Sequence, residues 1–219
     1  MKNELKYKIF EDLKIKIINN EIKPNEIINE RDIASSFGTS TTPVKEALFY
    51  LEYYNFITIK PRKKIFVNEI DLKTIKDTFQ MRVKLEPIII DLTIKTHSKS
   101  FLAKSLLKFK NNFSELLELA EINETLFYKY DDEFHQFFSN NCGNQFFTNQ
   151  MNLVYENLTR IRKILHHGIP KRKENIEEHI NLLDLILDDE PYEKINSYSI
   201  EHIENEQTDF FKDINFFNL

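Results

Sequence analysis

Hydrophobic positions at the start of the chain recur with a helical period. Leu5, Ile9, Phe10, Leu13, Ile17 and Ile18 fall on one face of an amphipathic helix over residues 3–20, and the turn Lys23-Pro24-Asn25 ends it. A short helix follows from about Glu30 to Phe37 and stops at Gly38, the residue type best suited to a left-handed helix end. Ser40 or Thr42 caps a third helix, with Pro43 in the first turn, where its missing N–H is harmless. Val44, Ala47, Leu48 and Leu51 give this helix its buried stripe to about Tyr54, and Asn55 supplies a left-handed stop. Two β-branched and aromatic runs, Phe56–Lys60 and Ile65–Val67, flank the basic turn Pro61-Arg62-Lys63-Lys64 and predict a hairpin. Helix, helix–turn–helix and hairpin together predict a winged helix-turn-helix over residues 1–70.

From Asp71 the pattern changes. Strand signals disappear, and long helical segments are predicted near 71–96, 99–121, 124–140, 145–167, 172–188 and 192–215. Pro87 falls inside the first and is expected to kink it, because it removes a backbone hydrogen bond. Residues 71–219 therefore predict an antiparallel all-helical bundle, and the whole chain a mainly α protein of two domains.

Composition narrows the chemistry. Only three glycines occur in 219 residues, so neither a GxGxxG nor a GxxxxGK phosphate loop can be written. The lone Cys142 excludes an intrachain disulfide and a cysteine-based zinc site. No uncharged apolar run approaches the roughly 20 residues of a membrane-spanning helix, and the charged amphipathic start lacks the features of a secretory signal, so a cytoplasmic protein without membrane contact is expected. Residues 1–70 carry twelve Lys/Arg against ten Asp/Glu, and the remainder eighteen against twenty-five. A mildly basic front on an acidic body suits a small DNA-reading head on a ligand-binding body.

The stretch Asn29-Glu-Arg-Asp-Ile-Ala-Ser-Ser-Phe-Gly-Thr-Ser-Thr-Thr-Pro-Val-Lys-Glu-Ala-Leu48, followed by Leu51-Glu52, resembles the head of GntR-family bacterial transcription regulators. The rest resembles the all-helical ligand-binding domain of the FCD branch, through Arg82 with Glu86, Asp131-x-x-Phe-His135, Gly143-Asn144, Glu178-His179 and His202. Three departures affect DNA reading. Thr41 and Lys45 stand where the family usually has arginines, and Lys64 stands in place of the wing glycine. Lysine cannot reproduce the bidentate guanine contact of a guanidinium, so the operator is expected to be AT-rich or read through shape and phosphates. The His179–His202 spacing is one residue longer than usual, an insertion assigned to the Asp188–Pro191 turn.

The resemblance implies a DNA-binding set of Arg31, Ser40, Thr41, Thr42, Lys45, Arg62, Lys63 and Lys64, since the early turns of a recognition helix meet base edges and phosphates. It implies a metal set of Asp131, His135, His179 and His202. Asp131 and His135, one turn apart, project from one helix face, and a carboxylate with imidazoles suits zinc first, with nickel or manganese as alternatives. Taken singly, a core histidine is usually just a hydrogen-bonded core residue. Arg82, Arg160 and Arg162 are candidates for holding an effector carboxylate, although Arg82 could instead pair with Glu86 one turn on. His166 and His167 read as cationic residues at a helix C-terminus.

These features predict a non-enzymatic transcription regulator, a repressor, that binds a palindromic double-stranded operator as a homodimer. A small carboxylate metabolite bound near the divalent ion would control it. A regulator that senses the metal directly is the alternative, and a helical-bundle metalloenzyme, built on similar ligands, is a more distant one.

Overall fold

The computed structural model describes residues 2–61, 64–164 and 172–217. Arg62, Lys63, His166 and His167 lie outside the described residues, and the expectations placed on them stay with the sequence. The described residues fold into two compact units. One comprises those up to Ile75 together with Glu156–Ile164, and the other comprises Lys76–Tyr155 with those after residue 171. The expected boundary at residue 70 is therefore exceeded by the first unit, which also takes in a later helical segment.

In the first unit, α1 (Lys2–Ile18) precedes β1 (Ile27–Ile28), α2 (Glu30–Ser36), α3 (Thr41–Tyr53), β2 (Ile57–Lys60) and β3 (Lys64–Val67). Local chemistry sets the boundaries. Asn29 caps α2 by accepting from the Arg31 N–H, and Ser40 in extended conformation precedes α3, which places Pro43 in its first turn. Gly38 and Asn55 both adopt φ of +60°, the left-handed stops read from the sequence. The strands form an antiparallel sheet of order β1-β3-β2, with Ile57 opposite Val67, Lys60 opposite Lys64 and Ile27 opposite Phe66. Strand β1 was not anticipated, because two residues are too few to show alternation. Its Ile28 is buried while Ile27 is exposed. The core gathers Ile9, Leu13 and Ile17 of α1, Val44, Ala47, Leu48 and Leu51 of α3, and Phe56, Ile65 and Val67 around the hairpin.

Among its described residues the second unit contains helices and their connecting turns, and no strand. It is built from α4 (Leu72–Thr96), α5 (Lys99–Leu117), α6 (Glu124–Asn141), α7 (Gln145–Ile164), α8 (Arg172–Leu187) and α9 (Tyr192–Phe217), with the ends of α4 and α7 belonging to the first unit. Pro87 lies within α4 without dividing it. Helix α5 stops four residues before its expected end, and Asn123 then caps α6 by accepting from the Leu126 N–H. Ile89, Leu106, Phe113, Phe134, Phe138, Met151, Ile176 and Leu183 form the centre of an apolar core drawn from all but the last of these helices, with Ile195 joining from α9. Among the described residues no helix is long and apolar enough to cross a membrane.

Candidate metal centre and nucleic-acid interface

Within this apolar core sits a polar cluster. Asp131 and His135 face inward from one side of α6, His179 enters from α8 and His202 from α9, and all four are buried. One ring nitrogen from each of the three histidines lies within 4.8 Å of the others. His179 Nε2 is 3.1 Å from Asp131 Oδ1 and 3.4 Å from His135 Nε2, and His135 Nε2 is 3.6 Å from Asp131 Oδ1. Phe113 stacks on the His179 ring at 4.8 Å and Phe134 meets it edge-on, so one wall of the cluster is aromatic.

Each imidazole is held from behind through Nδ1. His135 Nδ1 lies 2.9 Å from Glu86 Oε2 of α4, His179 Nδ1 lies 2.7 Å from the Asn175 carbonyl, and His202 Nδ1 lies 2.7 Å from Glu178 Oε2 of α8. Tyr155 donates to the His135 carbonyl at 3.3 Å and so ties α6 to α7. The Nε2 atoms are turned inward. His202 Nε2 is buried without a hydrogen-bond partner, an arrangement that costs free energy unless something accepts its lone pair. Three imidazole nitrogens and one carboxylate oxygen at these separations fit a divalent transition-metal ion: the donor types are right, and the orphaned nitrogen is supplied with a partner.

The electrostatics are uneven. Burial disfavours charge on His135, yet Glu86 and Asp131 outweigh it and raise its pKa to about 9. Burial and the neighbouring His202 instead push His179 down to about 4, so this ring is neutral. Glu86, fully enclosed, is pushed up by burial but held down at about 2 by Arg82 and His135.

Arg82 is fully buried, and its contacts alter the effector expectation. Its Nε donates to Glu86 at 2.5 Å, its Nη1 donates to Glu206 of α9, and its Nη2 lies 3.3 Å from His135 Nε2. The guanidinium is thus engaged by two carboxylates beside the metal set. Arg160 does not join it. It lies in the first unit, donates through Nη2 to the Asn68 carbonyl and covers the Phe56 ring at 5.6 Å, while burial lowers its pKa to about 10. Arg162 is buried in the same unit. The reason is a helix face: Glu156, Asn157 and Arg160 line up on α7 to meet Lys14, the Tyr54 carbonyl and Asn68. Arg160 and Arg162 thus fall in the first unit, and Arg82 in the second.

The described residues singled out for DNA all belong to the first unit. Arg31 lies in the first turn of α2, Ser40 precedes α3 without a side-chain capping hydrogen bond, and Thr41, Thr42 and Lys45 occupy the first turns of α3. Arg31, Ser40, Thr42, Lys45 and Lys64 are exposed, and Thr41 is half-buried. Lys45 approaches Glu30 only at 3.9 Å, too loosely to fix it, and Lys64 faces Lys60 across the hairpin. Sequence reading gave no role at the metal set to Glu86, Asn175, Glu178 or Glu206. Glu178 adjoins His179 in the sequence but serves His202 in space, and only the i,i+4 spacing of Glu206 from His202 hinted at a shared face.

Comparison with known proteins accounts for both units. The family described as bacterial regulatory proteins, gntR family, matches over residues 5–67, and the FCD domain matches over residues 77–205. The HTH-type transcriptional regulator YdhC of Bacillus subtilis (strain 168) is 26% identical over 182 residues, covering 80% of this chain and 77% of its own. The fold of E. coli McbR/YncC is similar with a TM-score of 0.72 at 18% identity, covering 95% of this chain and 97% of that one. The Zn2+-bound FCD domain of TM0439 matches with a TM-score of 0.54 at 18% identity, covering 67% of this chain and 98% of that one.

Proposed function

The chain belongs to the GntR family of bacterial transcription regulators, with an FCD domain following its DNA-binding head, and from that premise we propose a repressor whose hold on DNA is set at the metal centre. Asp131, His135, His179 and His202 would hold a divalent ion, zinc first among the candidates. The head would read a palindromic operator as a homodimer, through Arg31, Ser40, Thr41, Thr42 and Lys45 on α2 and α3 and Arg62, Lys63 and Lys64 in the wing.

One observation carries the reading: three histidines from three helices are each held through Nδ1, with Nε2 turned to a common centre beside Asp131. The zinc in the FCD domain of TM0439 supports it. When bound, the ion would satisfy the inward nitrogens and offer its remaining coordination positions to an anionic oxygen, which makes a small carboxylate metabolite the natural effector. Arg82 braces His135 through Glu86, and Phe113 and Phe134 exclude water from one side of the ligand set.

The engagement of Arg82 by Glu86 and Glu206 favours a second reading, in which the ion itself is the signal. An incoming carboxylate would have to compete for a guanidinium already paired. Gel shifts on the gene's own upstream region separate the two. A small hydroxy- or dicarboxylic acid that releases zinc-loaded protein from DNA supports the effector reading. Release or capture by zinc alone, with no response to organic acids, supports the sensor. A protein that binds this DNA identically with zinc, with chelator and with acids contradicts both.

A further inference from the structure

We propose that Glu178, which ligates nothing itself, is a positioning residue that sets the metal affinity of the site by fixing the tautomer of His202. The inference rests on the metal reading above. A neutral imidazole has one N–H and one lone pair, and the hydrogen bond at one nitrogen decides which nitrogen keeps the lone pair. Glu178 Oε2, 2.7 Å from His202 Nδ1, accepts only, so Nδ1 carries the hydrogen and the lone pair stays on Nε2. That Nε2 is the buried atom left without a partner.

The clamp has a second arm. Glu178 Oε1 accepts from Asn205 Nδ2 at 2.8 Å, so one carboxylate of α8 grips α9 at two residues a turn apart. This fixes both the ring plane of His202 and its register against His179 on the gripping helix. A carboxylate behind a ligand imidazole also raises its basicity toward the metal. His179 is held more weakly, by a neutral carbonyl of its own helix. Glu86 makes the equivalent contact to His135, but it also carries the Arg82 pair, so removing it disturbs folding as well. Glu178 separates the two effects: its side chain is 19% exposed, and its hydrogen bonds go to His202 and Asn205 rather than to a buried arginine.

Zinc affinity of the full chain, measured by competition with a chromophoric chelator, tests the proposal. Glu178→Leu is expected to weaken zinc by about 10- to 100-fold, the usual effect of losing such a partner. Glu178→Gln keeps an acceptor without the charge and should fall between Glu178→Leu and wild type; it also serves if the leucine variant does not fold. Nitrogen-15 spectra of the metal-free histidines give the readout a general loosening would not: His202 protonated at Nδ1 in wild type, with that preference lost in Glu178→Leu. Wild-type zinc affinity in both variants overturns the proposal while leaving the metal reading intact. If wild type takes up no zinc, the metal reading fails, and a His202 tautomer unchanged by either substitution overturns the positioning role as well.

Discussion

Replacing Arg82 with methionine separates a structural guanidinium from one held in reserve for an effector. Arg82 is fully buried and donates to Glu86 and Glu206, which are themselves buried. Methionine keeps much of the side chain's length and removes the cation that these carboxylates share. Breaking a buried ion pair by removing one partner costs about 3–5 kcal/mol. Two carboxylates lose the same partner here, but His135 stays 2.9 Å from Glu86 and offsets part of the loss, so the expected cost stays in that range. Against a total stability of about 5–15 kcal/mol the loss is large. A protein of this size shifts by about 2–4 °C per kcal/mol, so the melting temperature should fall by roughly 6–20 °C. Calorimetry of the full chain without zinc or organic acid is the assay. Glu206→Leu should interact non-additively with it, the double variant losing less than the sum of the singles. A melting temperature within about 2 °C of wild type would refute the reasoning, because an arginine kept for an absent ligand contributes nothing to the fold.

Zinc at one hundred times its dissociation constant should stabilise the protein by about 2.7 kcal/mol, a rise of roughly 5–11 °C in a thermal-shift assay, and Asp131→Ala should reduce that rise. Metal uptake should release protons and strengthen as pH rises toward 9, because His135, raised to about 9 by Glu86 and Asp131 against its burial, carries a proton that the ion must displace. Potentiometric titration shows it, and an affinity flat from pH 6 to about 9 contradicts it. Arg31→Ala and Lys45→Ala should weaken operator binding and flatten its salt dependence with unchanged melting temperature, since both side chains are exposed; gel shifts at several salt concentrations measure this. Small hydroxy- or dicarboxylic acids should stabilise zinc-loaded protein in a thermal-shift screen, and an effect that survives complete metal removal would count against their entry at the ion.

The sequence was most legible where a single residue decides local geometry. Gly38, Pro43 and Asn55 each mark a boundary that the backbone respects, because left-handed stops and first-turn proline follow from one residue's own sterics. The pair Asp131 and His135 was legible for a similar reason, since one helical turn puts them on one face. What could not be read depends on how helices are rotated against one another. The carboxylates behind His135 and His202 come from α4 and α8, and no spacing along the chain encodes that contact. Arg160 shows the same limit. It falls in the stretch predicted as the bundle, whereas the face it shares with Glu156 and Asn157 meets the head residues Lys14, Tyr54 and Asn68.

Elemental analysis of the purified full chain after zinc loading and desalting tests the metal centre most directly, with wild type compared with the His135→Ala/His179→Ala double variant. Circular dichroism would establish that both are folded. The ligand geometry predicts one tightly held divalent ion per wild-type chain and none in the double variant, because only His202 and Asp131 would remain of the set. Equal metal content in the two proteins would contradict the assignment and place the ion elsewhere in the molecule.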